Sequence, residues 1–318
     1  MKGFIAGEND ENIRLSRFIS RVTHGLPVSL LHKYFRLGRI KVNGKKAKAD
    51  HRLKKGDEIS VYLNDEFFAT PATPPNPPSN GTPPPILWQN KDLAFIYKPS
   101  GLRCHSPAAG QPSLLGNFTA ALVQNGEFSP ELENQFSPAL CNRLDQGTEG
   151  IVIAAKNYTT LRAMNEIIKL KQIEKHYLCI VQGKPPEGMH TAYWKNDQNE
   201  NLVYITANET EGSKKIQTKV QVLQTRHNFS LCNILLVTGR KHQIRSHLQF
   251  LGHPIVGDRK YGNALVNKRT QAKTQALCAV SVYFSGIPET SSLAYLNGKK
   301  IEIANPDIEK MFLALTSQ

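Results

Sequence analysis

The chain has 318 residues, enough for two domains, and a hydrophobic content of 40% that can build a packed core. Its net charge of +14 points to polyanionic partners, RNA or DNA, ahead of an anionic membrane surface, because no basic amphipathic stretch with exposed aromatics stands out. No apolar run is long enough to span a bilayer and the opening MKGFIAGEND has no apolar signal core, so a cytoplasmic protein with no membrane attachment is expected.

In chain order, Asp10 is expected to cap a helix that carries Leu15, Phe18, Ile19 and Val22 on one face. Pro27 and Gly38 bracket a second helix, with Leu30, Leu31, Tyr34 and Leu37 as its buried stripe. Lys33 and Arg36 fall off that stripe, and Arg39 lies just beyond it. Residues 39–42 read as a strand, Asn43-Gly44 as a hairpin turn and 57–63 as a second strand. Residues 11–62 hold 13 Lys+Arg against 4 Asp+Glu, a net of +9, so over half of the excess charge sits in the first fifth of the chain. Charge runs are usually solvated faces. Here one sign dominates a two-helix-plus-hairpin pattern, and its self-repulsion is relieved by an anion. Residues 1–63 are therefore read as a small basic α/β RNA-binding domain, with Lys33, Arg36 and Arg39 as contacts. GRIKVNGKKAK and LKKGDEISVYL, in this order of elements, resemble the RNA-binding domain shared by a ribosomal small-subunit protein and several RNA-modifying enzymes.

Residues 64–85 form a linker. Eight prolines fall between Pro71 and Pro85, which removes backbone donors and leaves an extended, semi-rigid tether. Such a tether would raise the local concentration of RNA for whatever follows.

From residue 86 to 318 strands dominate. They are expected at 87–88, 93–97, 174–181, 202–206, 218–225, 229–237, 277–284 and 300–304, with helices at 158–168 after Asn157 and at 242–251 before Gly252. The fold class is α+β, with a large, mostly antiparallel mixed sheet as the second domain.

The stretch that organises this domain is 139–156, ALCNRLDQGTEGIVIAAK, in which two β-like runs flank a Gly-containing loop. Period-two alternation along a strand would put Arg143 and Asp145 on one face. Alone, an Asp before such a turn is usually a turn-former. Arg245, near a helix start and against the helix dipole, needs a carboxylate or phosphate across a cleft. Cys104, Cys141 and His105 lack the four-ligand pattern of a zinc site.

NRLDQGTEG at 142–150, KHYLCIV at 175–181, KPSGLRCHSP at 98–107 and TGRKHQIRSHLQFLGHPIVGDRKYG at 238–262 together resemble the RluA/RluC-type pseudouridine synthases. The resemblance implies an isomerase of RNA, most readily large-subunit ribosomal RNA, that needs no cofactor and no metal. It implies Asp145 as the catalytic carboxylate, Arg143 as the residue that helps extrude the base and Tyr177 as the aromatic under the flipped uracil. Arg245 becomes the cation paired with Asp145, and Arg240 a further RNA contact. Asn142 stands where His is usual and Glu149 where Ser is usual, which leaves substrate choice open. Two rivals remain: a non-catalytic RNA-binding or ribosome-assembly factor, and a synthase acting on transfer RNA. A glycosidase using Asp145 and Glu149 as a carboxylate pair is a third, weaker reading. A monomer is expected, since no sizeable exposed apolar patch can be inferred.

Overall fold

The computed structural model describes residues 1–68, 81–106, 111–134, 136–197, 200 and 202–315, so the centre of the expected tether, 69–80, lies outside the described residues. Among the described residues no helix is long and apolar enough to cross a membrane. All five cysteines are free thiols.

The first elements are β1 (Lys2–Ile5), α1 (Leu15–Val22), α2 (Val28–Arg36), β2 (Ile40–Val42), β3 (Lys45–Lys46) and β4 (Glu58–Val61). The four strands make an antiparallel sheet in the order β1-β4-β2-β3. Asn43 and Gly44 both have positive φ, at 50° and 74°, as the two-residue hairpin turn between β2 and β3 requires. Two expectations fail here. Asp10 does not cap α1, whose N-cap is Arg14 with no side-chain bond. It lies four residues too early to reach the first-turn amides, and it accepts instead from the Gly7 amide and from Asn134. The buried face of α2 is Leu31, Tyr34 and Phe35, while Leu37 is exposed. The stripe is turned toward Phe35 because the helix ends at Arg36 and Leu37 has already left it.

This first unit packs directly on the second. Phe136 and Tyr158 join its hydrophobic core. Asn9 donates to Glu133 at 2.7 Å and accepts from the Tyr158 amide at 2.8 Å, and Asn134 donates to the Ile5 carbonyl at 2.7 Å.

The second unit runs through β5 (Ile86–Gln89), β6 (Leu93–Lys98), α3 (Leu114–Gln124), β7 (Ala139–Leu140), β8 (Glu149–Ala155), α4 (Tyr158–Lys169) and β9 (Ile173–Gln182). It continues with β10 (Gly188–Asp197), β11 (Leu202–Thr206), β12 (Lys214–Arg226), β13 (Phe229–Leu236), α5 (Gln243–Phe250), α6 (Ala264–Thr270), β14 (Leu277–Phe284), β15 (Lys300–Glu302) and α7 (Asp307–Leu315). The strands form one 11-stranded sheet in the order β11-β10-β12-β13-β9-β14-β8-β6-β5, with β15 on β14 and β7 on β8. Among these pairings only β14 with β8 is parallel. The mixed, mostly antiparallel sheet agrees with the sequence reading; α3, β10, α6 and α7 are additional to it.

Period-two alternation divides the core between the two faces of the sheet. Ala94, Ile96, Val152 and Ala154 point to the face covered by α3, α5 and α7. Leu93, Phe95, Ile151 and Ile153 point to the face covered by α4 through Met164 and Ile167. Burying Ile244 and Leu248 of α5 is worth about 1.5–3 kcal/mol each, which fixes that helix over the sheet. Asn157 caps α4 by accepting from the Thr160 amide.

One glycine sets the level of the functional loop. Gly150, at φ 118°, opposes Ala279 of β14, and a Cβ there would sit 2.3 Å from the Ala279 carbonyl oxygen. Ala279 opposes Tyr177 of β9 on its other side. Gly150, Ala279 and Tyr177 therefore lie in one row across three adjacent strands, just below the loop that carries Asp145.

Candidate active site

The loop from Asn142 to Thr148 is tied on both flanks. Asn142, the residue in the place of a His, accepts from the Ile153 amide at 2.8 Å and so pins the loop to β8. Cys104 bonds the Leu144 amide and carbonyl through its sulfur, at 3.3 and 3.4 Å. Ser100 donates to the Gly147 carbonyl at 2.9 Å. Gln275 donates to the Thr148 hydroxyl at 2.6 Å.

Lys98 is the anchor of this arrangement. It is fully buried, and its ammonium donates to the carbonyls of Pro99, Leu102 and Gln146 at 2.9, 2.7 and 3.0 Å. Burial pulls its pKa down to about 8. Three oriented carbonyl dipoles replace the hydration of the ammonium when it is charged.

Arg143 is not in a strand, because β7 already ends at Leu140. The alternation that placed Arg143 beside Asp145 therefore does not apply. Both nonetheless line one cleft of about 630 Å3, with Tyr177, Arg240 and Arg245. Among the described residues Asp145 is the sole carboxylate of that lining, against Arg103, Arg143, Lys175, Arg240, Lys241 and Arg245. Lys33 and Arg36 on α2, and Arg39 after it, are exposed on the first unit and do not line the cleft. No group of three His, Cys, Asp or Glu among the described residues is placed to hold a metal ion.

Arg245 was expected off the buried face of its helix; it is buried, as are all residues from Gln243 to Leu248. Its guanidinium spans two carboxylates. Nη1 donates to Asp145 at 2.7 Å, while Nε and Nη2 form a fork onto Asp258 at 2.6 and 2.9 Å. Asp258 also accepts from the amides of Lys260 and Tyr261 at 2.8 and 3.0 Å. Burial works against the charge on Arg245, but Asp258 first and Asp145 next outweigh it and hold the guanidinium above its ordinary value. Burial likewise opposes the charge on Asp258, and its bonds from Arg245 and the two amides hold its carboxyl below the ordinary range. The Tyr261 ring lies 5.2 Å from the Arg245 guanidinium.

His242 completes the cluster. It is a non-glycine residue at φ 54°, the left-handed region, immediately before α5. Nδ1 is 3.0 Å from the Tyr261 hydroxyl and Nε2 is 3.9 Å from Asp145. The Tyr261 oxygen accepts from the Val203 amide at 3.0 Å. Its own hydrogen then goes to His242 Nδ1, which leaves Nε2–H facing the carboxylate. The opposite tautomer would point a lone pair at a negative charge and strand the tyrosine hydrogen.

Glu149 is absent from the cleft. Its carboxylate accepts from the Tyr97 hydroxyl at 3.0 Å, so the carboxylate pair required by the glycosidase reading is not assembled. Tyr177 presents a buried ring to the cleft beside Asp145, and burial pushes its phenol up.

The histidines give the fold an acid-side weakness. Burial pulls both His242 and His247 down from 6.5 to about 4. Between those limits the unfolded chain binds their protons and the folded chain does not, so stability falls as pH falls through that window. The urea midpoint is expected to drop between about pH 6.5 and 4 and to drop less steeply in His247→Gln. Identical slopes for the two proteins would refute this source of acid sensitivity.

A family model described as RNA pseudouridylate synthase matches residues 92–250, the segment that carries Asp145, Tyr177 and Arg245. The chain belongs to this family. An RNA pseudouridine synthase of Chlorobaculum parvum, itself uncharacterized, is 32% identical over 79% of this chain and 76% of its own length. Ribosomal large subunit pseudouridine synthase C of Pasteurella multocida is 28% identical over 100% of this chain and 95% of its own. Human RNA pseudouridylate synthase domain containing 4 shares the fold with a TM-score of 0.55 at 22% identity, covering 73% of this chain and 92% of that one.

As a pseudouridine synthase, the protein isomerises uridine in RNA. The N1–C1′ bond breaks, a C5–C1′ bond forms, C5 loses its proton to solvent and N1 gains one. Asp258 and Tyr261 stand beyond the end of the family match, and the sequence alone assigns neither a role. The available signal was Arg245 itself, since a buried arginine requires a carboxylate and an acid follows thirteen residues later in the same stretch.

Proposed function

We propose that this synthase modifies large-subunit ribosomal RNA and that Asp145 is its reactive carboxylate. The observation that carries the reading is the bridge Asp145–Arg245–Asp258, which fixes one carboxylate in a cleft whose other charged lining residues are Lys and Arg. Relatives named for the large ribosomal subunit match along most of their length, which favours that RNA over transfer RNA.

A stacked uridine must be flipped out, at a cost of a few kcal/mol. Arg143, exposed at the cleft, fills the vacancy and holds the displaced strand through its phosphates. The uracil lies on the Tyr177 ring. Positive character develops at C1′ as the base departs, and the Asp145 carboxylate stabilises or traps it there. Arg240, with Lys33, Arg36 and Arg39 on the first unit, binds the backbone; that unit is a basic RNA-binding domain, residues 1–63, ahead of a catalytic domain from residue 86. His242, with its tautomer held by Tyr261, turns Nε2–H toward Asp145 from 3.9 Å and adds a favourable dipole beside the carboxylate that Arg245 holds.

Tritium release from C5-labelled uridine in large-subunit RNA transcripts tests the activity directly. Release from transfer RNA alone would overturn the substrate assignment. Tyr261→Phe removes the hydroxyl that orients His242, and its single-turnover rate is expected to fall about tenfold with RNA affinity unchanged. A rate equal to wild type would remove His242 from this role.

A further inference from the structure

A second cleft lies where the two units meet. Arg14, Arg17 and Arg52 line it from the first unit, Arg162 of α4 from the second, and Tyr158 forms its floor. The Tyr158 ring, 9% exposed, has the guanidinium carbons of Arg17, Arg21 and Arg162 at 6.0, 5.4 and 5.9 Å from its centre. Arg14, Arg17, Arg52 and Arg162 are exposed, and among the described residues none forms an ion pair. Attraction of Arg17, Arg21 and Arg162 to the ring face offsets part of the repulsion among the cations. The remainder is relieved by an anion that enters the hollow.

The seam is built, not incidental. The bonds of Asn9 to Glu133 and to the Tyr158 amide, and of Asn134 to the Ile5 carbonyl, hold its walls in register. It is also joined to the catalytic cleft by one rigid element. Ile168, near the end of α4, lines that cleft, and Arg162 precedes it by six residues, about 9 Å along the helix axis. One end of α4 thus lies at the catalytic cleft and its other end in the seam. Guanidinium forks suit phosphate oxygens in pairs.

We propose that this seam is a phosphodiester-binding site for the RNA whose uridine occupies the catalytic cleft. Arg162 supplies the contact from the catalytic side, and Arg14, Arg17 and Arg52 supply those from the first unit. The inference rests on RNA being the substrate, and it extends the interface to residues on both sides of the junction. The site holds backbone without reading sequence, and it ties the orientation of the two units to the path of the RNA.

The test uses full-length protein and a transcript of large-subunit ribosomal RNA, with binding measured from about 50 to 200 mM salt. For Arg162→Gln, the slope of log K against log salt is expected to shrink by about 1, and affinity to fall roughly tenfold. Arg14→Gln combined with Arg17→Gln should shrink the slope by about 2. Arg162→Lys should restore the slope, because it restores the charge. In tritium release the loss should appear in KM more than in kcat. An unchanged slope and KM in Arg162→Gln would overturn the proposal, as would a slope that Lys fails to restore. Absence of turnover by the wild type would instead sink the catalytic reading, and the salt slopes would still decide the seam.

Discussion

Asp145→Asn is expected to lower pseudouridine formation by on the order of 10⁴-fold while RNA affinity stays within about threefold. The amide has the shape of the carboxylate, and its oxygen still accepts from Arg245 Nη1, now 2.7 Å from Asp145. The loop keeps its ties to Lys98, Cys104 and β8, none of which uses the Asp145 side chain. What disappears, on the proposed reading, is the negative charge beside the sugar. Without it the positive character that develops at C1′ has no counterion and no nucleophile, and about 5 kcal/mol of transition-state stabilisation is lost. Single-turnover tritium release with saturating enzyme measures this directly. A fall of less than about tenfold would reduce Asp145 to a turn-forming residue.

The second large effect is on stability. Asp258→Ala should cost about 3–5 kcal/mol and lower the melting temperature by roughly 10 °C. The Asp258 side chain is 0% exposed, and it satisfies two guanidinium nitrogens and two backbone amides. Alanine leaves a buried cation with Asp145 as its remaining carboxylate, and it removes the Asp258 oxygen that accepts from the Lys260 and Tyr261 amides. Activity should fall as well, because Arg245 is then free to turn away from Asp145. Asp258→Asn should be milder, since an amide oxygen still accepts but the charge is gone. The Asp258 carboxyl is held below its ordinary range, so its contribution is present above the unfolded value and is lost as pH falls through the folded one. Calorimetry on the alanine variant decides the matter. A melting temperature within about 2 °C of wild type would mean that Arg245 is solvated and the bridge is not a fixed element.

That Asp145, Tyr177 and Arg245 meet in one cleft was legible because the motifs that carry them are long and their spacing is specific. The hairpin at Asn43-Gly44 and the start of α4 at Asn157 were legible because local chemistry alone specifies them. What escaped depended on tertiary surroundings. α3 buries residues on nearly every side, from Leu114 through Thr119, so no periodic stripe marks it. β1 exposes most of its residues and shows no alternation. Lys98 reads as a surface lysine in a strand, and its burial depends on carbonyls from turns 1, 4 and 48 residues away. Glu149 looked like a neighbour of Asp145 in sequence, yet its carboxylate turns to Tyr97. Arg245 was singled out as needing a partner, but Asp258 becomes that partner only when the chain after α5 folds back.

Position-resolved pseudouridine mapping of ribosomal RNA, in cells whose only copy of this gene encodes either the wild type or Asp145→Asn, reaches the central claim most directly. The expected result is that one or more large-subunit positions carry pseudouridine with the wild type and unmodified uridine with the variant, at equal protein levels. Identical maps from the two strains, with the same positions modified, would contradict the account.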